Sequence, residues 1–236
     1  MSQFNTAIKR ILSDVKEIIK NPLETNGIYY LHNEENIYNG KAMIIGPLDT
    51  PYQYGFYFFN LVFANDYPFS PPKVTFCTQG EKVRFNPNLY VNGKVCLSAL
   101  NTWPGDPWTS VHTISSILLT LSSILNNNPY LNEPYIKEDN PCVKSYNQII
   151  EYANYKIAFL GIFNKKYILS EFEIFKDIIN EKMKENLLKV ISKCEELEKT
   201  YINNKAITIN LYHFSLNLNY TTLLQELYNI KNKIEI

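Results

Sequence analysis

The chain has 236 residues, 45% of them hydrophobic, and 23 Lys+Arg balance 23 Asp+Glu for a formal net charge of +0. That length allows one large domain, or a domain with an addition. The charge balance leaves no basic excess to neutralise phosphates, which argues against nucleic acid as a main partner and offers nothing to an anionic membrane.

The segment from Met1 to Arg10 has no signal-peptide core, and no apolar run approaches the roughly 20 residues of a bilayer span. A soluble, intracellular protein is expected. Its four cysteines (Cys77, Cys96, Cys142, Cys194) and three histidines (His32, His112, His213) are scattered, with no Cys-x-x-Cys. Neither a metal site nor a disulfide framework is expected.

In chain order, residues 2–20 read as an amphipathic helix. Phe4, Ile8, Ile11, Leu12, Val15, Ile18 and Ile19 form its apolar stripe, and Lys9, Arg10, Lys16 and Lys20 its charged side. Asn21-Pro22 stops it. The period then changes. Runs from Ile28 to His32, Ala42 to Ile45, Phe56 to Ala64 and Val74 to Phe76 are β-branched and aromatic, and predict four strands. Asn39-Gly40 is nominally a hairpin signal. Tyr67-Pro-Phe-Ser-Pro-Pro72 is a loop stiffened by three prolines, and it carries Phe69.

Residues 84–108 are irregular. They hold the Asn86-Pro87-Asn88 and Asn92-Gly93 turns, Cys96 and both tryptophans, Trp103 and Trp108. Helices are expected over 111–126, on the stripe Ile114, Ile117, Leu118, Leu121, Leu125, and from Val143 to about Leu160. The order helix, four consecutive strands, irregular segment, helices predicts an α+β domain with an antiparallel meander.

Beyond it, a capping box Ser170-x-x-Glu173 introduces a stripe from Phe172 and Phe175 through Ile179, Met183, Leu187, Ile191 and Cys194 to Leu197. Ala206 to Leu216 is mixed and polar, and a last helix follows from Tyr220, capped by Asn219. The expected organisation is an α+β domain over 1–160 and a helical C-terminal extension over 161–236, packed on the domain or on a partner.

A lone cysteine is usually a small buried hydrophobe. Cys77, Cys142 and Cys194 read that way. Cys96 differs in its setting, because Asn88 lies eight residues earlier and an asparagine amide can donate to the oxyanion of a tetrahedral intermediate. No His-Asp pair supports it, which disfavours a protease-type triad. A thiol without a base suits a carrier of an already activated acyl group.

Tyr67-Pro-Phe-Ser-Pro-Pro-Lys-Val-Thr-Phe76, Asn86-Pro-Asn88, Val95-Cys-Leu97 and Trp108 followed by a helix occur here in that order, with Gly46-Pro and Thr50-Pro-Tyr52 before them. The set resembles the catalytic domain of ubiquitin-conjugating enzymes. Arg84-Phe-Asn-Pro-Asn, Asn92-Gly-Lys-Val-Cys-Leu-Ser98 and Asn128-Pro-Tyr-Leu-Asn-Glu-Pro134 resemble the family's Z type, which also carries a helical C-terminal extension.

The resemblance implies that Cys96 accepts ubiquitin, or a related modifier, as a thioester from an activating enzyme. The modifier then passes to a lysine of a protein substrate or to a ubiquitin ligase. Asn88 would stabilise the oxyanion or hold the loop, with Asn86 and Pro87 as support. Phe69 and Trp108 match the ligase-contact loops, and Lys9 and Arg10 the activating-enzyme surface. ATP is consumed by the activating enzyme, so no bound cofactor is implied. The compartment would be the cytoplasm, with the nucleus open as a second.

Ser98 stands where the family often has an acid that helps the incoming lysine. Asn132 or Glu133 could take that part. The rival reading is a non-catalytic ubiquitin-binding or scaffold protein on the same fold. The presence of Cys96 favours the enzyme.

Overall fold

A helix, α1 (Gln3–Lys20), opens the computed structural model, which describes the backbone over 3–201 and 205–234 and side chains over 6–201 and 206–234. Its buried face is Ala7, Ile11, Asp14 and Ile18, at steps of four, three and four. The stripe is narrower than the sequence suggested: Leu12 and Ile19 are exposed, and the side chain of Phe4 lies outside the described residues. The carboxylate of Asp14 takes a stripe position because it has partners. It accepts from Arg10 Nε (2.7 Å), one turn earlier on the same helix, and from the Tyr67 hydroxyl (2.5 Å), which ties the helix to the loop before β4.

The four strands form one antiparallel meander in sequence order: β1 (Ile28–His32), β2 (Asn39–Ile45), β3 (Phe56–Val62) and β4 (Lys73–Phe76). Asn39-Gly40 is not its turn. Both residues lie inside β2, with Gly40 opposite His32. Glycine is required there for space, since a Cβ would lie 2.1 Å from the Tyr30 hydroxyl.

The run Phe56-Tyr-Phe-Phe59 in β3 shows no polar alternation because both faces of the sheet are covered. Tyr57 and Phe59 face inward onto Phe76, and Tyr57 also meets Phe85. Phe56 stacks on Phe159, and Phe58 lies 4.8 Å from Phe172 and 6.2 Å from Phe175. The C-terminal segment therefore supplies the second cover of the sheet.

α2 (Ile114–Ser123) buries the predicted stripe and starts at a Thr113/Ser116 capping box. α3 (Cys142–Ala153) continues as one wide, π-helical stretch over Asn154–Gly161. The widening places Asn154 in the core. Its Oδ1 accepts from the Tyr57 hydroxyl (2.7 Å) and its Nδ2 donates to Gln53 O (2.9 Å), which satisfies a fully buried amide.

The expected capping box at Ser170 does not form. Ser170–Phe175 is a tight 3-10 turn, and α4 (Lys176–Thr200) begins after it without a side-chain cap. In a three-residue turn, positions i and i+3 eclipse. That brings Phe172 and Phe175 together onto Phe58. The long stripe itself is buried as predicted, from Ile179 to Leu197, with Val190 added.

The mixed segment around Ala206 proves to be a β-hairpin. β5 (Lys205–Ile209) and β6 (Phe214–Leu218) pair antiparallel, with Phe214, Leu216 and Leu218 facing inward. α5 (Tyr220–Ile234) follows, capped by Asn219 Oδ1 on Thr222 N (2.9 Å). The extension is thus helical with a hairpin inserted. Its core residues belong to the same apolar cluster as those of the sheet. No helix among the described residues is long and apolar enough to cross a membrane.

The seam of α3, α4 and α5 contains Glu151, whose carboxyl is pushed above the ordinary range by burial, helped by Glu196 and opposed by Lys193. The folded state therefore holds the Glu151 proton more tightly than the unfolded state. From this group, stability is highest below the unfolded value and falls as pH rises through the folded one. Glu151→Gln should raise the denaturation midpoint at pH 7.5 and leave it unchanged near pH 4. An equal shift from the parent at both pH values rejects this.

Candidate active site

Cys96 lies in irregular chain beyond β4. Turn chemistry directs its loop: an isolated bridge pairs Leu89 with Val95, and Gly93 takes the left-handed φ of +87° that its turn needs. Asn88 and Cys96 then lock together. Cys96 N donates to Asn88 O (2.9 Å), and Asn88 Nδ2 donates to Cys96 O (2.7 Å). In this state the Asn88 amide braces the backbone of the cysteine.

Asn86 is the hub behind it and is fully buried. Its Nδ2 donates to Ile124 O (2.8 Å) and the Tyr52 hydroxyl oxygen (3.0 Å). Its Oδ1 accepts from Asn88 N (2.9 Å) and Asn132 Nδ2 (3.3 Å). Every donor and acceptor of the amide is used, so the network fixes the loop rather than merely filling it. Asn132 also donates to Ile124 O (3.1 Å) and accepts from Asn126 Nδ2 (3.0 Å). Pro87 O accepts from Arg84 Nη2 at 2.5 Å.

Cys96 is 1% exposed, and its Sγ has no hydrogen-bond partner among the described residues. Thr102 closes the next turn. Its hydroxyl donates to Val95 O (2.7 Å) and accepts from Leu97 N (3.0 Å). Ser98 opens the short turn Ser98–Leu100. Residues Trp103–Pro107 fold back over Ser98 at Gly105, where φ is +135° and a Cβ would lie 3.1 Å from Ser98 Cβ.

The remaining candidates divide by exposure. Phe69 is 66% exposed, whereas Trp108 is buried. Trp108 Nε1 donates to Pro68 O (2.7 Å), which joins the two loops, and its ring stacks on His112. Lys9 points to solvent. Arg10 is engaged within the chain: besides Asp14, it donates to Ser110 O (2.7 Å) and to His112 O. Glu133 accepts a hydrogen bond of 2.5 Å from the hydroxyl of Tyr212, a residue of the extension. Sequence reasoning missed Tyr212 and its contact with Arg84, since nothing in the linear order pairs them.

Cys77 and Cys194 are core residues, and burial pushes both thiols up, that of Cys77 to about 11. Among the described residues no group of three or more His, Cys, Asp or Glu could hold a metal ion.

The site is thus a cysteine set in an asparagine-braced loop of an α+β domain, with no base bonded to its thiol among the described residues. The chain belongs to the ubiquitin-conjugating enzyme family, whose family model, described as "Ubiquitin-conjugating enzyme", matches residues 10–153. It is 42% identical over 154 residues to "Ubiquitin-conjugating enzyme E2 Z" of Danio rerio, covering 64% of this chain and 46% of that protein. The protein of the same name from Homo sapiens is 41% identical over 152 residues, 63% of this chain and 42% of that protein. "Probable ubiquitin-conjugating enzyme protein 17" of Caenorhabditis elegans is 36% identical over 186 residues, 73% of this chain and 25% of that protein. The chain spans about half the length, or less, of these curated relatives.

Proposed function

We propose that the chain accepts ubiquitin, or a related modifier, from an activating enzyme as a thioester on Cys96, and passes it to a substrate lysine or a ligase. The observation that carries this reading is a family cysteine held by Asn88 on both sides of its peptide unit, with no general base attached. A thiol that meets an activated acyl group needs positioning more than it needs deprotonation by a partner. The thiol is covered, so loading requires the rim of the site to open. Cytoplasmic action fits the reading, and so do contacts with a ligase through the exposed Phe69 and with the activating enzyme through α1, where Lys9 is exposed and Arg10 holds the loop of Trp108.

The test is incubation with activating enzymes, ATP and tagged modifiers, resolved on gels without reductant. A reductant-sensitive adduct is expected. Its absence with every activating enzyme rejects the enzymatic reading and leaves a binding module on the same fold.

The bond from the Asn88 amide to Cys96 O supports a reading of Asn88 as loop support. Asn88→Ala should slow loading and discharge to free lysine by similar factors, each roughly tenfold, the scale of losing an orienting hydrogen bond at a reacting group. A defect confined to discharge would assign the amide to the oxyanion instead.

A further inference from the structure

We propose that Tyr212, delivered by the C-terminal hairpin, is a positioning residue for the transfer step: it holds Glu133 by a hydrogen bond and packs on Arg84, which is bonded to the Asn86-Pro87-Asn88 segment, so that Glu133 can receive the proton of the attacking amine. The inference rests on the thioester reading above.

The hairpin tip is built to present one side chain. Asn210–Tyr212 forms a single 3-10 turn between β5 and β6, and His213 closes it at a left-handed φ of +52°. The Tyr212 hydroxyl donates to Glu133 Oε2 at 2.5 Å. Its ring lies over the Arg84 guanidinium at 4.2 Å, and Tyr90 covers the opposite face at 3.7 Å. Edge contacts to Tyr130 and Tyr146 complete the setting. Arg84 in turn donates to Pro87 O, and Tyr146 donates to Arg84 O (2.6 Å). One side chain of the extension therefore touches the segment that carries Asn86-Pro87-Asn88, the loop that carries Asn132 and Glu133, and helix α3.

The hydrogen bond has a chemical consequence. Burial, reinforced by Glu133, raises the Tyr212 hydroxyl far above its ordinary value, so it remains a donor throughout the working pH range. A charge-assisted bond on Oε2 orients the carboxylate. Oε1 has no donor among the described residues, which leaves it as the acceptor. In the transfer, the lysine nitrogen attacks the thioester carbonyl carbon and the C–N bond forms. The C–S bond breaks with its electron pair leaving on Cys96. The proton lost by the nitrogen goes to Glu133 Oε1 and then to solvent. Ser98 offers no carboxylate for that proton, whereas Glu133 does.

The experiment uses the full chain and single-turnover discharge of the Cys96 thioester to free lysine, across lysine concentration. Tyr212→Phe keeps the ring over Arg84 and removes only the hydroxyl. It should lower the saturating discharge rate roughly tenfold, with the lysine KM and the rate of loading within about twofold. Glu133→Gln should be as slow, and Tyr212→Phe/Glu133→Gln no slower than Glu133→Gln alone, because both changes remove one function. Parental discharge in Tyr212→Phe, multiplicative effects in the double variant, or a parallel loss of loading and thermal stability overturns the proposal alone. A parent protein that forms no thioester overturns this proposal together with the reading on which it rests.

Discussion

Replacing Cys96 by serine should convert the adduct with the modifier from one that thiol reductants release to one that resists them, and replacing it by alanine should abolish it. The atom exchanged decides the outcome. A thioester is attacked readily by an external thiol, whereas an oxygen ester is not and yields to hydroxylamine or alkali instead. The serine adduct should also form more slowly, since a hydroxyl without a base is the poorer nucleophile. The other three cysteines provide internal controls. The thiols of Cys77 and Cys194 are buried and raised, hence protonated at neutral pH, and only a thiolate attacks. Cys142 sits at the first position of α3, off the asparagine network. Alanine at any of these three should leave the reductant-sensitive adduct in place. A persistent adduct in Cys96→Ala would put the acceptor elsewhere and reject the site.

The α+β order, the meander, the stripe of α4 and the asparagine-cysteine loop were all legible in the sequence, because each rests on a local period or a short motif. What was not legible depends on distance or on shape. The β5–β6 hairpin escaped because its apolar positions, Ile207 and Ile209 against Phe214, Leu216 and Leu218, are separated by a tip with no glycine. His213 supplies the left-handed residue there, at some steric cost. Leu12 and Ile19 looked like core because periodicity alone cannot show where a neighbouring element ends. Nothing local marks Asp14 as buried, because two of its partners, Tyr67 and the start of α2, lie far along the chain. The same separation hides the contacts of Tyr212 with Glu133, 79 residues away, and with Arg84.

Phe172→Ala should cost about 3–5 kcal/mol of stability, the range for deleting a fully buried phenylalanine ring and leaving its cavity. For a chain of this size that lowers Tm by on the order of 10 °C. The value of the substitution lies in which probes report it. Both tryptophans, Trp103 and Trp108, belong to the cysteine half, whereas α4 and α5 lie in the extension and make up much of the helix. Phe172 joins the two halves at Phe58 on β3. If the outer face of the sheet and the extension share one core, tryptophan fluorescence and far-ultraviolet circular dichroism should report coincident transitions that shift together. A shift confined to the dichroism signal, with the tryptophan transition unmoved, would mean that residues 170–234 melt as a separate unit. Ile174→Ala is the matched control. That side chain is 55% exposed on the same turn, so its removal should change stability by no more than about 0.5 kcal/mol. Coincident melting would also account physically for how a hairpin tip beyond residue 205 can hold Glu133 steadily. A clamp transmits order only when its own anchor unfolds no earlier than the site it holds.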